Sequence, residues 1–337
     1  WAAIYADYRA STMGGNHQVQ LVDIYQLYDQ FAYGQTWHPL AIRHFINYAV
    51  DHFIAQPKHV LLIGKSVSYN QLYPSIYNQC LVPTYGQSPS DNMLAVRSIY
   101  DYLPQVAIGR IAAKTPEELR QYLQKIMEHE AALATNSCDK ADKLWLKKAV
   151  QLAQGDNDLQ STYFKGYLKD YHEIYSEPSW GGGLTYDFTL NSYGSNAPPS
   201  DFVAQMNEGI ALLNYFGHGL GSAWALNLQS PSSYSNAGRY PFILSASCLT
   251  GNLHSPNNVL SMAENYTLAE QGGAIGFLSS SSIGIAAYIH SFQKSFLRQL
   301  CQTNYGQSIG QAMLKAMEDI YLADESQLLG RGIRYTC

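Results

Sequence analysis

The sequence predicts an α/β fold, a three-layer αβα sandwich in two subdomains with mostly parallel sheets. Three observations carry that reading. Short apolar runs closed by small residues recur along the chain, among them Val60-Leu-Leu-Ile-Gly64, Ile210-Ala-Leu-Leu-Asn-Tyr-Phe216 and Phe242-Ile-Leu-Ser-Ala246. Continuous apolar strands of this kind belong to sheets buried on both faces. Segments with helical spacing alternate with them. The length of 337 residues, with 46% hydrophobic and 14% charged residues, supplies two cores and excludes a disordered chain.

In chain order, residues 19–24 (Val-Gln-Leu-Val-Asp-Ile) alternate and read as a strand. A helix follows from about Pro39, with Ile42, Phe45, Ile46, Ala49, Val50 and Phe53 at helical spacing, and Pro57 ends it. The strand at 60–64 then completes a βαβ unit with a parallel pair. Residues 66–105 read mostly as loop, with turn material at Pro83-Thr-Tyr-Gly86 and Ser88-Pro-Ser-Asp-Asn92. Another strand covers 106–111. Thr115-Pro-Glu-Glu118 is a capping box with proline at the first helical position, opening a helix to about Ala134. The small, polar stretch 135–142 separates an N-terminal subdomain, 1–135, from a second one, 143–325.

The second subdomain opens with a strand at 148–153 and the strand-to-helix turn Gly155-Asp-Asn-Asp158. A helix spans roughly 159–170. Residues 176–199, with glycines at 181–183, read as loop. Ser200 caps a short helix to Glu208, which Gly209 stops. The two apolar strands before His218 and Cys248 follow. A helix is expected from Pro256 to Gln271, a strand at 273–278 with the loop Ser279-Ser-Ser-Ser282 at its end, and two helices at about 286–302 and 307–323.

The net charge of −5 gives no basic excess, so the footprint of a nucleic-acid binder is absent. No apolar run reaches membrane-spanning length. The 27 tyrosines suit an exported protein or a binding face. Five scattered cysteines, Cys80, Cys138, Cys248, Cys301 and Cys337, form no CxxC pair and no zinc-site spacing. The chain starts at Trp1 without methionine and reads as a segment of a longer protein.

The chemistry sits at two strand ends. Ligands of open α/β sheets bind outside the carboxyl ends of the strands. His218, between Gly217 and Gly219, and Cys248, before Leu249-Thr-Gly-Asn252, both stand there. Either residue alone has an ordinary structural reading, a packed thiol or a structural imidazole. Together they are the minimum apparatus for nucleophilic catalysis by a thiol. A cysteine ending a strand near following amides is also placed for activation.

The pattern of an apolar run before His-Gly, then an apolar run before Ala-Ser-Cys, resembles the cysteine peptidase clan of caspases, legumain and separase. Within it, Asn214-Tyr-Phe-Gly-His-Gly219, Ala223-Trp224 and Leu244-Ser-Ala-Ser-Cys-Leu-Thr-Gly-Asn252 resemble the gingipain family, including its type IX secretion sortase-like members. Ile24-Tyr25, Tyr28-Asp29-Gln30-Phe31, Ile42-Arg43, Leu61-Leu-Ile-Gly64, Val82-Pro-Thr-Tyr85, Ser90-Asp91 and Asp101-Tyr-Leu-Pro-Gln-Val-Ala-Ile-Gly-Arg110 extend the similarity over most of residues 20–320.

The resemblance implies a caspase-like sandwich and a cysteine endopeptidase acting on peptide or protein substrates through a thioester. Cys248 would attack the scissile carbonyl and His218 would serve as general base and acid. By analogy, the backbone N–H groups of Gly219 and Cys248 would form the oxyanion hole. The histidine-orienting position, acidic in the family, falls on Gln154. Asp158, with Asp156 second, would meet a substrate side chain, helix capping being the other reading of both. Trp224 and Ser279, Ser280 and Ser281 would wall the pocket, Trp224 being equally suited to a core. The chemistry needs no cofactor. The resemblance also implies structural calcium, with Asp91 as a candidate, and a secreted or bacterial cell-surface location. The family's usual ending is absent around Leu328-Leu-Gly-Arg-Gly332. A sortase-like transpeptidase and a non-catalytic scaffold, the latter motivated by Gln154, stay open beside the endopeptidase.

Overall fold

The structure, a computed structural model, describes residues 1–323 apart from 136, 181, 191–199, 227 and 257–258. The stretch around Leu328 and Cys337, and Gly181 of the glycine triplet, lie outside the described residues. The chain divides into two compact units, Trp1–Gln124 with His254–Pro256, and Lys125–Leu253 with Asn257–Cys337. No described helix is long and apolar enough to cross a membrane.

The first unit opens with α1 (Ala2–Ala10), which the sequence reading lacked. The alternation at 19–24 does not form a strand. Instead the Asp23 carboxylate accepts the Tyr25 N–H at 2.8 Å and caps α2 (Ile24–Phe31). The helical spacing of Leu27, Tyr28 and Phe31 overrides the short alternation before it. α3 (Leu40–His52) lies where expected. The parallel pair is β1 (His59–Ile63) with β2 (Ala107–Ile111), in register from His59↔Ala107 to Ile63↔Ile111. Leu27, Tyr28, Ile42, Ile46, Leu62 and Val106 form its core.

A buried polar hub organises the long loop between these strands. Arg110 donates to Asp91 through Nε and Nη2, at 2.7 and 2.8 Å, and to the carbonyls of Gly64, Val82 and Pro83. Thr84 also donates to Asp91, at 2.9 Å. The guanidinium outweighs burial and holds the Asp91 carboxyl below its ordinary range. Both oxygens are engaged beside a fixed positive charge, so Asp91 does not fit a calcium ion. No group of three or more potential metal ligands occurs among the described residues.

Helix α4 (Pro116–Ala134) starts with the expected capping box, Glu118 N–H donating to Thr115 Oγ1 at 3.2 Å. The second unit is built on a five-stranded parallel sheet in the order β4-β3-β5-β8-β9: β3 (Lys148–Gln154), β4 (Leu184–Leu190), β5 (Leu212–Gly217), β8 (Phe242–Ala246) and β9 (Gly276–Ser279). Between β5 and β8 lies a small hairpin, β6 (Gly219–Leu220) with β7 (Ala223–Trp224). β4 falls in the stretch read as loop. Its alternating residues are few and follow a glycine-rich turn, so the edge strand has a weak signal. α5 (Asp158–Tyr175) and α8 (Ala286–Arg298) cover one face, where Phe164 meets Phe216 and Phe242 meets Phe296. α6 (Ser200–Glu208) and α7 (Met262–Thr267) cover the other, packing Phe202, Met206, Met262 and Tyr266 on Val150, Leu213, Tyr215 and Ile243. The alternation of Tyr215 and Phe216 between the two faces is that of a central strand. α7 begins at the Ser261/Glu264 capping box, not at Pro256. α9 (Ile309–Ala323) packs on α8. This is the expected caspase-like αβα sandwich.

Candidate active site

The sheet register sets the site. Phe216 of β5 and Ala246 of β8 are Cα partners, and His218 and Cys248 each lie two residues further on. Gln154, the last residue of β3, is level with Gly217. Two close approaches explain the glycines around His218. A methyl on Gly217 would fall 2.5 Å from the Tyr215 hydroxyl and 2.7 Å from the Gln154 carbonyl. A methyl on Gly219 would fall 2.9 Å from Ser247 Cβ and 2.9 Å from Thr250 Cγ2. The backbone after His218 therefore packs directly on the loop that carries Cys248. The His218 carbonyl is fixed by the Tyr215 hydroxyl and the Ala225 N–H, both at 2.9 Å.

The imidazole is part-exposed. Its Nε2 lies 3.0 Å from Gln160 Oε1 and 3.3 Å from Asp156 Oδ2. Phe164 stands beside the ring, with centroids 6.2 Å apart. An imidazolium here would rest against a carboxylate.

Cys248 is half-buried and unpaired. Among the described residues neither its thiol nor its N–H has a hydrogen-bond partner. The next residue, Leu249, turns the chain sharply with φ +62, a left-handed conformation uncommon for leucine. Two backbone bonds hold this turn, Leu249 N–H to Ser282 O at 3.1 Å and Gly251 N–H to Ser280 O at 3.0 Å. Beneath it runs a chain of buried hydroxyls. Trp224 Nε1–H donates to Ser245 Oγ at 2.8 Å; Ser245 and Ser247 meet Thr250 at 3.0 and 2.9 Å; Thr250 meets Ser279 at 2.6 Å.

The family model for peptidase family C25 matches residues 1–333. The chain belongs to peptidase family C25. Lys-gingipain of Porphyromonas gingivalis is 24% identical to it over 184 residues, 54% of this chain and 10% of that protein. Gingipain R2 is 24% identical over 154 residues, 45% of the chain and 20% of that protein. The chain thus spans between a tenth and a fifth of the length of these curated relatives. The fold agrees with the crystal structure of the Arg-specific cysteine proteinase gingipain R, with TM-score 0.69 at 18% identity over 92% of this chain and 68% of that one. It agrees as well with the complex of the RgpB pro- and mature domains, with TM-score 0.71 at 17% identity over 99% and 73%. This is a gingipain-like cysteine peptidase family member.

Within this C25 fold the residues singled out from sequence separate into groups. His218 and Cys248 share one register at adjoining strand ends. Gln154 is wholly buried in the sheet, and Asp156, expected at the substrate, stands at the imidazole. Asp158 is exposed at the first position of α5, whose cap is Asn157. Among the described residues no partner engages the Asp158 carboxylate. Trp224 is buried and stacks on Tyr215 with centroids 4.2 Å apart, and it also lines a pocket with Ala223, Leu226, Met262 and Tyr266. The Ser279 hydroxyl joins the chain under the Cys248 loop, and the Ser280 hydroxyl bonds to Ser282 O at 2.8 Å. Ser280 and Ser281 are buried. Gln160 was not singled out, because within a helical segment a lone glutamine carries no signal.

Proposed function

We propose that this chain is a cysteine endopeptidase in which Cys248 and His218 form the catalytic dyad. The observation that supports it is the shared register of the two residues on paired parallel strands, with Gly219 packed against the loop of Cys248. The thiol proton passes to His218, and the sulfur adds to the scissile carbonyl. The oxyanion is met by the free N–H of Cys248, with the Gly219 N–H as its proposed partner. Donors of this kind each contribute roughly 3–4 kcal/mol in other enzymes. The imidazolium protonates the leaving amine, which leaves a thioester. Water, losing a proton to His218, then adds to the thioester and releases the acid and the thiol. Asp156 steadies the imidazolium. The chemistry uses no cofactor.

The exposed Asp158 carboxylate would receive a cationic substrate side chain at the residue before the cleaved bond. A secreted or cell-surface location fits the likeness to gingipains. A positional-scanning peptide library tests the reading. Arg or Lys should be preferred before the cleaved bond, Asp158→Asn should erase the preference, and Cys248→Ala should abolish cleavage. A preference for apolar or small residues would remove the role of Asp158. Cleavage that survives Cys248→Ala would remove the dyad.

A further inference from the structure

The first turn of α5 is folded around the side chain of Gln160. Asn157 Oδ1 accepts the Gln160 N–H at 2.9 Å, which sets the backbone. The Gln160 side chain returns over the turn, and its Oε1 accepts the Asp156 N–H at 2.6 Å. The same oxygen lies 3.0 Å from His218 Nε2. A backbone N–H only donates, so the atom it meets is the amide oxygen, and an oxygen facing Nε2 requires the proton there. Asp156 Oδ2, at 3.3 Å, is a second acceptor for that proton. The neutral ring then carries its lone pair on Nδ1.

We infer that Gln160 is a positioning residue that fixes the Nε2–H tautomer and the ring angle of His218. The inference rests on the peptidase reading above. Nδ1 takes the Cys248 proton while Nε2–H keeps its acceptors; Nδ1 then gives that proton to the leaving amine, and the starting tautomer returns. Asp156 supplies charge and Gln160 supplies direction without charge. Phe164, one turn further along α5, closes the same side of the ring. Among the described residues Asp156, Gln160 and Phe164 stand against the imidazole, and the loop from Ser247 to Leu253 across the sheet edge adds one titratable group, the Cys248 thiol.

Ring nitrogen chemical shifts test this without turnover. In the full chain carrying Cys248→Ala, with labelled histidine and His218→Gln for assignment, His218 should be the Nε2–H tautomer above its pKa. Adding Gln160→Leu should give a mixture of tautomers, with the melting temperature lowered only by the lost bond to the Asp156 N–H; a tautomer that does not move overturns the inference. Turnover gives the second readout. Gln160→Leu should lower kcat about tenfold with KM little changed. Gln160→Glu keeps the acceptor, so kcat should stay within a few-fold, and its added charge should raise the acid limb of kcat/KM against pH. Equal loss in both variants with the limb unmoved would leave Gln160 as a turn-building residue only. Cleavage that persists in Cys248→Ala would mark failure of the peptidase reading, which the chemical shifts do not depend on.

Discussion

The Asp156 carboxylate stands 3.3 Å from Nε2 of His218, on the turn between β3 and α5. Both side chains are about half exposed, at 52% and 41%. An ion pair that open to water contributes about 0.2–1 kcal/mol. Asp156→Asn should therefore lower kcat/KM by about 1.4- to fivefold. Salt screens such a pair, so the gap between parent and variant should narrow as ionic strength rises. An unchanged kcat/KM at low salt would leave His218 without an electrostatic partner.

Gly219→Ala should damage stability and turnover together. The added methyl meets Ser247 Cβ and Thr250 Cγ2 at 2.9 Å, in a loop already tied to Ser280 and Ser282 after β9. Overpacking of this kind costs about 1–3 kcal/mol. Denaturant unfolding and a peptide assay would read both effects. A variant with parental stability and activity would mean that the two loops do not pack closely in solution.

Trp224→Phe keeps a ring on Tyr215 and removes the donor to Ser245. The loss of one buried hydrogen bond costs about 1–2 kcal/mol. Because the same hydroxyl chain underlies Cys248, kcat should also fall a few-fold. A stability loss with undiminished kcat would separate the chain from the placement of the thiol.

His254 makes the first unit acid-sensitive. Burial pushes the imidazole down from its ordinary value of 6.5 to about 4, against the pull of Asp91 and with the repulsion of Arg110 and Lys65. The neutral ring meets the Ser66 hydroxyl through Nδ1. The unfolded chain takes up the proton near pH 6.5 and the folded chain near pH 4. The contribution of His254 is therefore whole above pH 6.5, falls by about 1.4 kcal/mol per pH unit down to pH 4, and levels off below. Urea unfolding at pH 7, 5.5 and 4 should show this slope, reduced in His254→Asn. Equal slopes in the two proteins would place the acid sensitivity elsewhere.

The strands before His218 and Cys248 were legible because β5 and β8 are covered on both faces and so read as unbroken apolar runs. The reactive residues stood out because each run stops at them. Side-chain direction within the turn after β3 was not legible. The linear pattern assigns Gln154 to the imidazole and Asp156 to the substrate; that Asp156 Oδ2 comes within 3.3 Å of His218 Nε2 depends on how the turn between β3 and α5 is folded. Trp224 and Ser279 look alike as pocket walls or as core in a linear pattern; the partners of their polar atoms, Ser245 and Thr250, show only in the folded chain. The false strand at 19–24 and the missed β4 come from runs too short for periodicity to outweigh a helix cap or a glycine-rich turn.

The most direct test of the dyad is the rate at which a peptidyl thiol-reactive probe modifies each cysteine, read by mass spectrometry in the parent and in His218→Ala. Cys248 should react far faster than the exposed Cys138, and its rate should collapse to that of Cys138 in His218→Ala with the fold unchanged. Reaction of Cys248 no faster than Cys138 in the parent, or a rate untouched by loss of His218, would contradict the account.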